Sequence, residues 1–342
     1  MKAGGIFLLF CIFAAARSGA LPETGVPQAQ ISNGIVRATV YLPNSERGYY
    51  RGSRFDWSGV VKSLEYKGHN YFGVWFPRYN PRLNDSITGP VEEFRSGNST
   101  FGSALGYDEA EPGGRFVKIG VGVLRKPDAS AYAFSKEYEI VNPGVWTSRP
   151  QRDRVEFVQE LQDDIGYSYR YEKTLRLVPK RPELVLEHRL RNTGKRTIET
   201  DVYDHDFYVI DGQPTGPGVT VTFAFTPRPA TATNWPGAAE LAGKAEIQGK
   251  DLVYTRQLQG HESAASLLTG FSSSVKDNDI RVENSKAGVR EIGNRPLVRL
   301  NLWSIRTTVC PEAYIHMKIA PGQEFKWKIR YLFYEAPSKA KP

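Results

Sequence analysis

The sequence predicts an all-β protein built from antiparallel sheets, most simply a large β-sandwich. Hydrophobic and polar residues alternate with period two along the chain, as in "GIVRATVYLP" and "ELVLEHRLRNTG". Glycine, proline, asparagine and aspartate separate these segments, as turn residues do between strands. Convincing helical periodicity is nearly absent. Strands that follow strands without intervening helices favour antiparallel packing.

The chain of 342 residues, 40% of them hydrophobic, is long enough to bury a substantial core. Residues 1–20 are typical of a secretory signal peptide: Lys2 precedes a short apolar run, and Ser18 and Ala20 provide the small side chains that cleavage after Ala20 requires. We therefore expect a secreted or periplasmic protein with no membrane association after cleavage. A single domain over residues 21–336 and a disordered tail over 337–342 are predicted, and an uncleaved anchor is the alternative.

Charge and cysteine content exclude several classes of function. The formal net charge is +8, but no run of lysine and arginine exceeds two residues, so a nucleic-acid partner is not expected. Signal cleavage would leave Cys310 alone, which prevents an intrachain disulfide and favours a small core residue. The histidines have no zinc-site spacing, and no cofactor or transition metal is predicted. Calcium through Asp201 or Asp204 stays open.

The segment "TDVYDHDFYVIDG", residues 200–212, carries His205 between Asp204 and Asp206 within an aromatic strand. A solvated strand face is one interpretation. A ligand site or an active site at the end of the strand is the other. In contrast, His188 alternates with leucines in "LVLEHRL", which predicts a histidine in the core.

The N-terminal stretch "GYYRGSRFDWSG" combines groups that suit a sugar. Trp57 offers a flat apolar face for the C–H side of a sugar ring, while Arg51, Arg54 and Asp56 offer directed hydrogen bonds for hydroxyls. An ordinary turn stabilised by an arginine–aspartate pair is the alternative.

Two segments carry a resemblance to the galactose mutarotase-like (aldose 1-epimerase) superfamily. In "LVLEHRLRNTGKRTIETDVYDHDF", a strand ending in Asn-Thr-Gly precedes a strand that delivers His205, followed two residues later by Phe207. "CPEAYIHMKIAPGQEFKWKIRYLF" resembles the closing hairpin of that fold, with Glu312 before a Pro-Gly-Gln turn. The resemblance implies a β-supersandwich in which each of these strand pairs forms a hairpin, with a sugar cleft on the concave sheet.

The resemblance also implies roles for individual residues. His205 would be the acid and Glu312 the base in the interconversion of sugar anomers, and Asp204 and Asp206 are expected to raise the pKa of His205 and keep it protonated. Hexose mutarotases carry another histidine in the first half, where this chain has Arg115 and Lys118 instead, which favours an acidic sugar. The predicted substrate-binding residues are Arg51, Arg54, Asp56, Trp57, Lys118, Asp204 and Tyr208.

Three functions therefore remain open for a carbohydrate ligand. The first is aldose 1-epimerase-like chemistry by His205 and Glu312. The second is carbohydrate binding without turnover. The third is a lyase on acidic or oxidised sugars, which would need a tyrosine such as Tyr203 or Tyr208 near His205. The sequence does not decide the oligomeric state.

Overall fold

The computed structural model describes residues 25–97, 102–230, 241–260 and 262–336. The predicted signal peptide and the predicted tail lie outside these ranges. Within them, the regular structure is β-strand apart from two short 3-10 turns, Ile210–Gly212 and Val275–Asp277, and every strand pair is antiparallel. The predicted all-β class is confirmed. No helix in the described ranges has the length and hydropathy needed to cross a bilayer.

The strands of the described ranges are numbered in chain order. They are β1 (Gln28–Ser32), β2 (Val36–Tyr41), β3 (Val61–Tyr66), β4 (His69–Asn70), β5 (Val91–Arg95), β6 (Arg115–Lys118), β7 (Gly122–Arg125), β8 (Ile140–Asn142), β9 (Val145–Pro150), β10 (Arg154–Leu161), β11 (Tyr169–Leu177), β12 (Glu183–Asn192), β13 (Ile198–His205), β14 (Thr220–Phe223), β15 (Arg228–Pro229), β16 (Ala245–Gln248), β17 (Asp251–Tyr254), β18 (Ser263–Thr269), β19 (Asp279–Glu283), β20 (Ala287–Gly293), β21 (Arg299–Ile305), β22 (Thr308–Ile319) and β23 (Glu324–Glu335).

Two large sheets form the body of the fold. One has ten strands in the order β16-β17-β14-β19-β20-β23-β12-β11-β10-β9, and the other has six in the order β15-β18-β21-β22-β13-β5. Their facing sides enclose the main core. In β11, alternate residues from Tyr169 to Leu177 are buried while those between them are partly exposed, which is the period-two pattern that the sequence displays.

The two motifs that carry the resemblance form corners between the sheets, so the prediction of two hairpins was wrong. β12 and β23 belong to the ten-stranded sheet, whereas β13 and β22 belong to the six-stranded sheet. The Asn192 side chain ties the corners together by donating to the carbonyls of Arg196 and Ile319, each at 2.8 Å. Gly194 is required there, because a Cβ would lie 2.4 Å from the Gly166 carbonyl oxygen. The corners leave β13 and β22 as neighbours in one sheet.

Two smaller sheets accompany the large ones. Strands β1 to β4 form one, and β6 to β8 form the other. The connection between β7 and β8 covers residues 126–139, which is much longer than the roughly 2–5 residues usual in a hairpin loop. We call this segment the β7–β8 loop. It reaches the site described next.

Candidate acid–base site

His205 and Glu312 lie side by side on the same face of the six-stranded sheet. The register that pairs Val202 of β13 with Ile315 of β22 brings His205 opposite Glu312 three residues further along. His205 Nε2 and Glu312 Oε1 are 3.5 Å apart. Both residues are buried, with 3% and 6% of their surface exposed. We call them the acid–base pair.

Two donors fix the carboxylate of Glu312. Its Oε2 accepts hydrogen bonds from Asn301 Nδ2 at 3.0 Å and from the Tyr314 hydroxyl at 3.0 Å. Asn301 lies opposite Glu312 on β21, and Tyr314 follows it by two residues on β22 and so shares its face. The other carboxylate oxygen, Oε1, is therefore left to face His205.

Aromatic rings hold the imidazole of His205. Phe207 stacks on it with 3.8 Å between ring centroids, while Phe55 and Trp303 approach edge-on at 5.6 and 5.5 Å. Its Nδ1 is buried and has no hydrogen-bond partner among the described residues. Burial, followed by the charge of Arg54, holds the pKa of His205 well below its ordinary range, although Glu93 opposes them. The pair therefore contains a neutral imidazole near pH 7.

The expectation that Asp204 and Asp206 raise the pKa of His205 was wrong. Successive residues of a strand point to opposite faces of the sheet. Asp204 accordingly points into the space between the two large sheets, where its Oδ2 accepts a hydrogen bond from the Tyr331 hydroxyl at 2.6 Å. Asp206 accepts from the same hydroxyl at 3.0 Å. The charges that act on His205 are those of arginines and Glu93 on its own face.

A cluster of buried charges lies beside the acid–base pair, centred on Glu93 of β5. Its carboxylate contacts Arg54 Nε at 2.9 Å, Arg95 Nη2 at 3.0 Å and Lys118 Nζ at 3.4 Å. The Tyr203 hydroxyl also donates to it. We call these five residues the Glu93 cluster. It includes Arg54 and Lys118, which the sequence singled out.

Burial and the neighbouring charges shift the pKa values of the Glu93 cluster in opposite directions. Burial favours the neutral form of Glu93, but Arg54, Arg95 and Lys118 together hold its pKa well below the usual range. Burial lowers the pKa of Lys118 to about 8, with Glu93 opposing that shift. Asp85 binds the outer edge of Arg54 at 2.5 Å. Positive charge remains in excess over negative charge beside the acid–base pair.

Arg51 and Trp57 lie away from the acid–base pair. They line a cavity of about 640 Å³ on the other side of the β7–β8 loop. The further lining residues are Ser45, Ser53, Arg82, Glu137, Tyr138, Glu139, Ile140 and Pro143. The Trp57 side chain is itself buried, and its Nε1 donates to the Gly52 carbonyl at 2.9 Å. The cavity and the acid–base pair are thus neighbours that the loop separates.

Asp56, Asp204 and Tyr208 lie inside the molecule rather than at the acid–base pair. Asp56 accepts from the Tyr171 hydroxyl at 3.1 Å, and Tyr208 donates to Glu291 at 3.3 Å. With other carboxylates they fill the space between the two large sheets. We call this set the interlayer carboxylates: Asp56, Glu92, Asp204, Asp206 and Glu291. The structure therefore separates three of the predicted substrate-binding residues from His205.

Sequence reasoning missed Glu93, Arg95, Asn301 and Tyr314. One signal was present, because "VEEFR" places two glutamates and an arginine in a short strand, and all five of its residues are buried. Tyr314 could also have been found, since it lies two residues after Glu312 in a period-two segment. Nothing local marks Asn301.

Metal and thiol chemistry find little support at this site. In the described ranges, no group of three or more His, Cys, Asp or Glu residues could hold a metal ion. Cys310 is fully buried, and burial raises the pKa of its thiol well above the ordinary value. It acts as a small core residue, as predicted. His188 is likewise buried, as its alternation with leucines predicted.

Solved structures with the same fold are galactose mutarotase relatives. The aldose epimerase homologue from C. elegans aligns with a TM-score of 0.54 at 11% identity, over 92% of this chain and 100% of that one. A galactose mutarotase-like protein from Lactobacillus casei gives 0.52 at 11% identity, over 90% and 100%. A galactose mutarotase related enzyme from Lactobacillus acidophilus gives 0.52 at 11% identity, over 92% and 100%.

These alignments identify the fold class. The chain has the galactose mutarotase-like β-supersandwich fold, in a sequence that has diverged far from those solved structures. No protein-family model matches the chain, and neither does any of the curated proteins compared with it. The predicted resemblance is confirmed for the fold.

Proposed function

We propose that this protein is an aldose 1-epimerase-like enzyme that interconverts the anomers of a sugar. The observation that carries the proposal is the acid–base pair itself. A histidine and a glutamate face each other at 3.5 Å on adjacent strands, within the fold that galactose mutarotases share. Acid–base chemistry on one sugar ring requires both residues on one side of one sheet, and His205 and Glu312 share such a face.

The chemistry requires two proton transfers. Glu312 takes the proton of the anomeric hydroxyl while His205 gives a proton to the ring oxygen, and the bond between the anomeric carbon and that oxygen breaks. The open-chain aldehyde then rotates about its first carbon–carbon bond. Ring closure on the other face returns both protons, so no net proton is consumed. Asn301 and Tyr314 hold Glu312 in place for both steps.

The closed site contains a neutral imidazole, so His205 must gain a proton before it can act as an acid. Burial is the largest cause of its lowered pKa, and entry of water and substrate would relieve that cause. Protonation of His205 is therefore coupled to opening of the site. Either nitrogen is available, because Nδ1 has no partner among the described residues.

The charges beside the pair favour an acidic sugar. Arg54, Arg95 and Lys118 surround one buried carboxylate, and guanidinium groups bind carboxylates in a directed, bidentate manner. A uronic acid or another sugar with a carboxylate would match this excess of positive charge. Neutral sugars would use the same donors through their hydroxyls.

Magnetisation-transfer NMR on anomeric protons tests the proposal with a panel of neutral sugars and uronic acids. Wild type is expected to exchange the anomers of at least one sugar, and His205→Ala is expected to lose about 100-fold or more of that rate. His316→Ala is the matched control, since His316 is an exposed histidine on the neighbouring strand, bound to Asp201. Absence of exchange across the panel would contradict the proposal.

Carbohydrate binding without turnover is a second candidate, favoured by the burial of the pair. His205 and Glu312 are almost inaccessible, and the cations nearby are already paired with Glu93. Line broadening without exchange in the same spectra would favour this candidate. New olefinic signals would instead indicate a lyase, for which Tyr203 is the tyrosine near His205, with 5.9 Å between ring centroids.

We also propose that the protein is exported and that cleavage follows Ala20. The composition of residues 1–20 supports this. N-terminal sequencing of the secreted or periplasmic product would find Leu21 first. A product that retains Met1 would contradict the proposal.

A further inference from the structure

The acid–base pair is closed, and two aromatic residues of the β7–β8 loop lie over the cations beside it. Tyr132 lies over Lys118, with Nζ 5.5 Å from the ring centroid, and Phe134 lies over the two arginines. The ring centroid of Phe134 is 4.4 Å from Arg54 Cζ and 5.2 Å from Arg95 Cζ. Both guanidinium groups already bind Glu93. The phenyl ring thus occupies the position from which a ligand would reach both arginines.

The β7–β8 loop is bound both within itself and to the rest of the domain. Lys126 Nζ donates to the Tyr107 carbonyl, the Tyr107 hydroxyl donates to the Ser130 carbonyl, and Tyr138 is buried among other aromatic rings. Lys136 binds Asp128 at 2.7 Å, and the Ala133 amide donates to the Tyr138 hydroxyl at 2.9 Å. Residues 127–131 at its outer end are exposed. Phe134 is only partly buried, and a side chain at such a position changes its rotamer more readily than an anchored loop opens.

Ser53 provides one connection of this loop to the wall of the site. Its hydroxyl accepts from the Tyr138 amide at 3.2 Å and donates to the Lys136 carbonyl at 3.4 Å. Ser53 and Tyr138 also line the large cavity that includes Arg51. The loop therefore forms a wall shared by the cavity and the buried cations, with Phe134 on the side of the cations.

We propose that Phe134 is the removable cover of the acid–base pair, and that a sugar ring takes its place over Arg54 and Arg95 when the Phe134 side chain turns outward. This inference rests on the proposed function, because it names how the substrate reaches that site. The exchange replaces two cation–π contacts with hydrogen bonds from guanidinium groups to sugar oxygens. The loop backbone stays attached through Ser53 and Tyr107.

Chemical labelling tests the cover without using sugar turnover. Diethylpyrocarbonate modifies accessible neutral imidazoles, and peptide mass spectrometry follows His205 and the exposed His316 separately. Phe134→Ala is expected to label His205 about tenfold faster than wild type, the effect expected for loss of two cation–π contacts. Labelling of His316 is expected to stay unchanged in the same sample. Phe134→Tyr, which keeps the ring, is expected to label at the wild-type rate.

Controls separate opening from misfolding. Phe325→Ala removes a partly buried aromatic residue of the ten-stranded sheet that lies over Arg295, and it is expected to leave labelling of His205 unchanged. Near-ultraviolet circular dichroism checks that each variant keeps its packed core. An unchanged rate at His205 in folded Phe134→Ala would overturn the inference.

Labelling also distinguishes failure of the cover from failure of the proposed function. If Phe134→Ala labels faster at His205 but no variant exchanges anomers, the cover stands and the catalytic function fails. If wild type exchanges anomers but Phe134→Ala labels at the wild-type rate, the catalytic function stands and the cover is wrong.

Discussion

Buried polar side chains lie on both faces of β13. Cations outnumber the carboxylate of Glu93 on one face, and carboxyl groups outnumber cations on the other. Tyr203 and His205 point to the Glu93 cluster, where three cations surround one carboxylate. Asp204, between them in sequence, points to the five interlayer carboxylates, of which Asp56 and Glu92 contact Lys173 and Glu92 also contacts His188. Adjacent residues of one strand thus experience opposite electrostatic environments, and burial strengthens both.

Two consecutive glutamates of the neighbouring strand β5 also point to opposite faces of the sheet. Glu93 belongs to the Glu93 cluster, while Glu92 points the other way and binds Lys173 and His188. Burial favours the neutral form of Glu92, but Lys173 and then His188 lower its pKa to about 2. Each glutamate is ionised because cations lie close to it. Asp56 lies further from Lys173, at 3.7 Å, and Asp204, Asp206 and Glu291 form no ion pair among the described residues.

The other interlayer carboxylates have raised pKa values, in contrast to Glu92. Burial raises the pKa of Asp56 to about 7 against the attraction of Lys173, and burial raises that of Glu291 to about 7 as well. Burial and then the charge of Glu92 raise the pKa of Asp204 well above its ordinary value, and burial with Glu291 does so for Asp206. The comparison teaches that one face of β13 places cations beside His205 and Glu312, whereas the other face holds buried carboxyl groups that keep their protons.

The largest expected effect comes from breaking the Glu93 cluster. Glu93→Gln would leave Arg54, Arg95 and Lys118 buried without their shared carboxylate, and we expect the free energy of unfolding to fall by about 3–5 kcal/mol. Urea denaturation measures this change. Glu199→Gln is the control, since Glu199 forms an exposed pair with Lys318 and should cost less than about 1 kcal/mol. Equal losses of unfolding free energy in the two variants would contradict the claim that the buried Glu93 cluster stabilises the fold more than an exposed ion pair does.

The interlayer carboxylates predict a second large effect, on the pH dependence of stability. Asp204 and Asp206 keep their protons in the folded protein at a pH where the unfolded chain has lost them, so folding binds protons and stability falls as pH rises. From pH 6.5 upwards we expect a loss of about 1 kcal/mol per pH unit for each carboxyl group that still holds its proton in the folded protein. Urea midpoints across this range measure it.

Above pH 6.5 the buried histidines contribute little to the pH dependence of stability. His188 and His205 have lowered pKa values, so their contribution increases with pH only up to the ordinary histidine value of 6.5. Asp206→Asn removes one proton-binding group and should reduce the slope. A slope that is flat in wild type, or that Asp206→Asn leaves unchanged, would contradict protonation of the interlayer carboxylates.

A third prediction uses the pH dependence of anomer exchange. Because burial and Arg54 lower the pKa of His205, its acid form is lost as pH rises through a value below 6.5, and the rate should decline there. Phe134→Ala admits water and should move that decline to higher pH. A pH–rate profile of both proteins measures the shift. Coincident profiles would show that the cover does not control the protonation of His205.

The smallest expected effect concerns the residues that hold Glu312. Tyr314→Phe removes one of the two donors to its Oε2 and should lower the exchange rate about 3–10-fold, as loss of one hydrogen bond does. Tyr254→Phe is the matched control, because that buried tyrosine binds Ser304 away from the acid–base pair. A larger loss in Tyr254→Phe than in Tyr314→Phe would contradict the assignment.

Much of the fold was predictable because it depends on local patterns. Alternation along β11 and β12 predicted their strands and their buried faces, and the same rule predicted His188 in the core. That rule could also have excluded Asp204 from the site of His205, since neighbours in a strand face opposite ways. The pairing of His205 with Glu312 came from the resemblance, and the roles assigned to them stay predictions.

The rest of the site depends on register between distant segments. Glu93 meets Tyr203 only because β5 pairs with β13 in a register that aligns these two residues. Arg54 and Lys118 reach Glu93 from a turn and from a separate small sheet. Phe134 reaches Arg54 from a loop that has no periodic pattern. Local sequence patterns contain no information about such long-range contacts.

The central claim is that His205 and Glu312 act together on one sugar ring, and a double-variant comparison tests it most directly. Anomer exchange is measured for wild type, His205→Ala, Glu312→Gln and the double variant, with the sugar that wild type exchanges best. If the residues act as one unit, each single variant loses about 100-fold or more, and the double variant is about as slow as the slower single one. Losses that multiply in the double variant, or single variants that exchange at the wild-type rate, would contradict the claim.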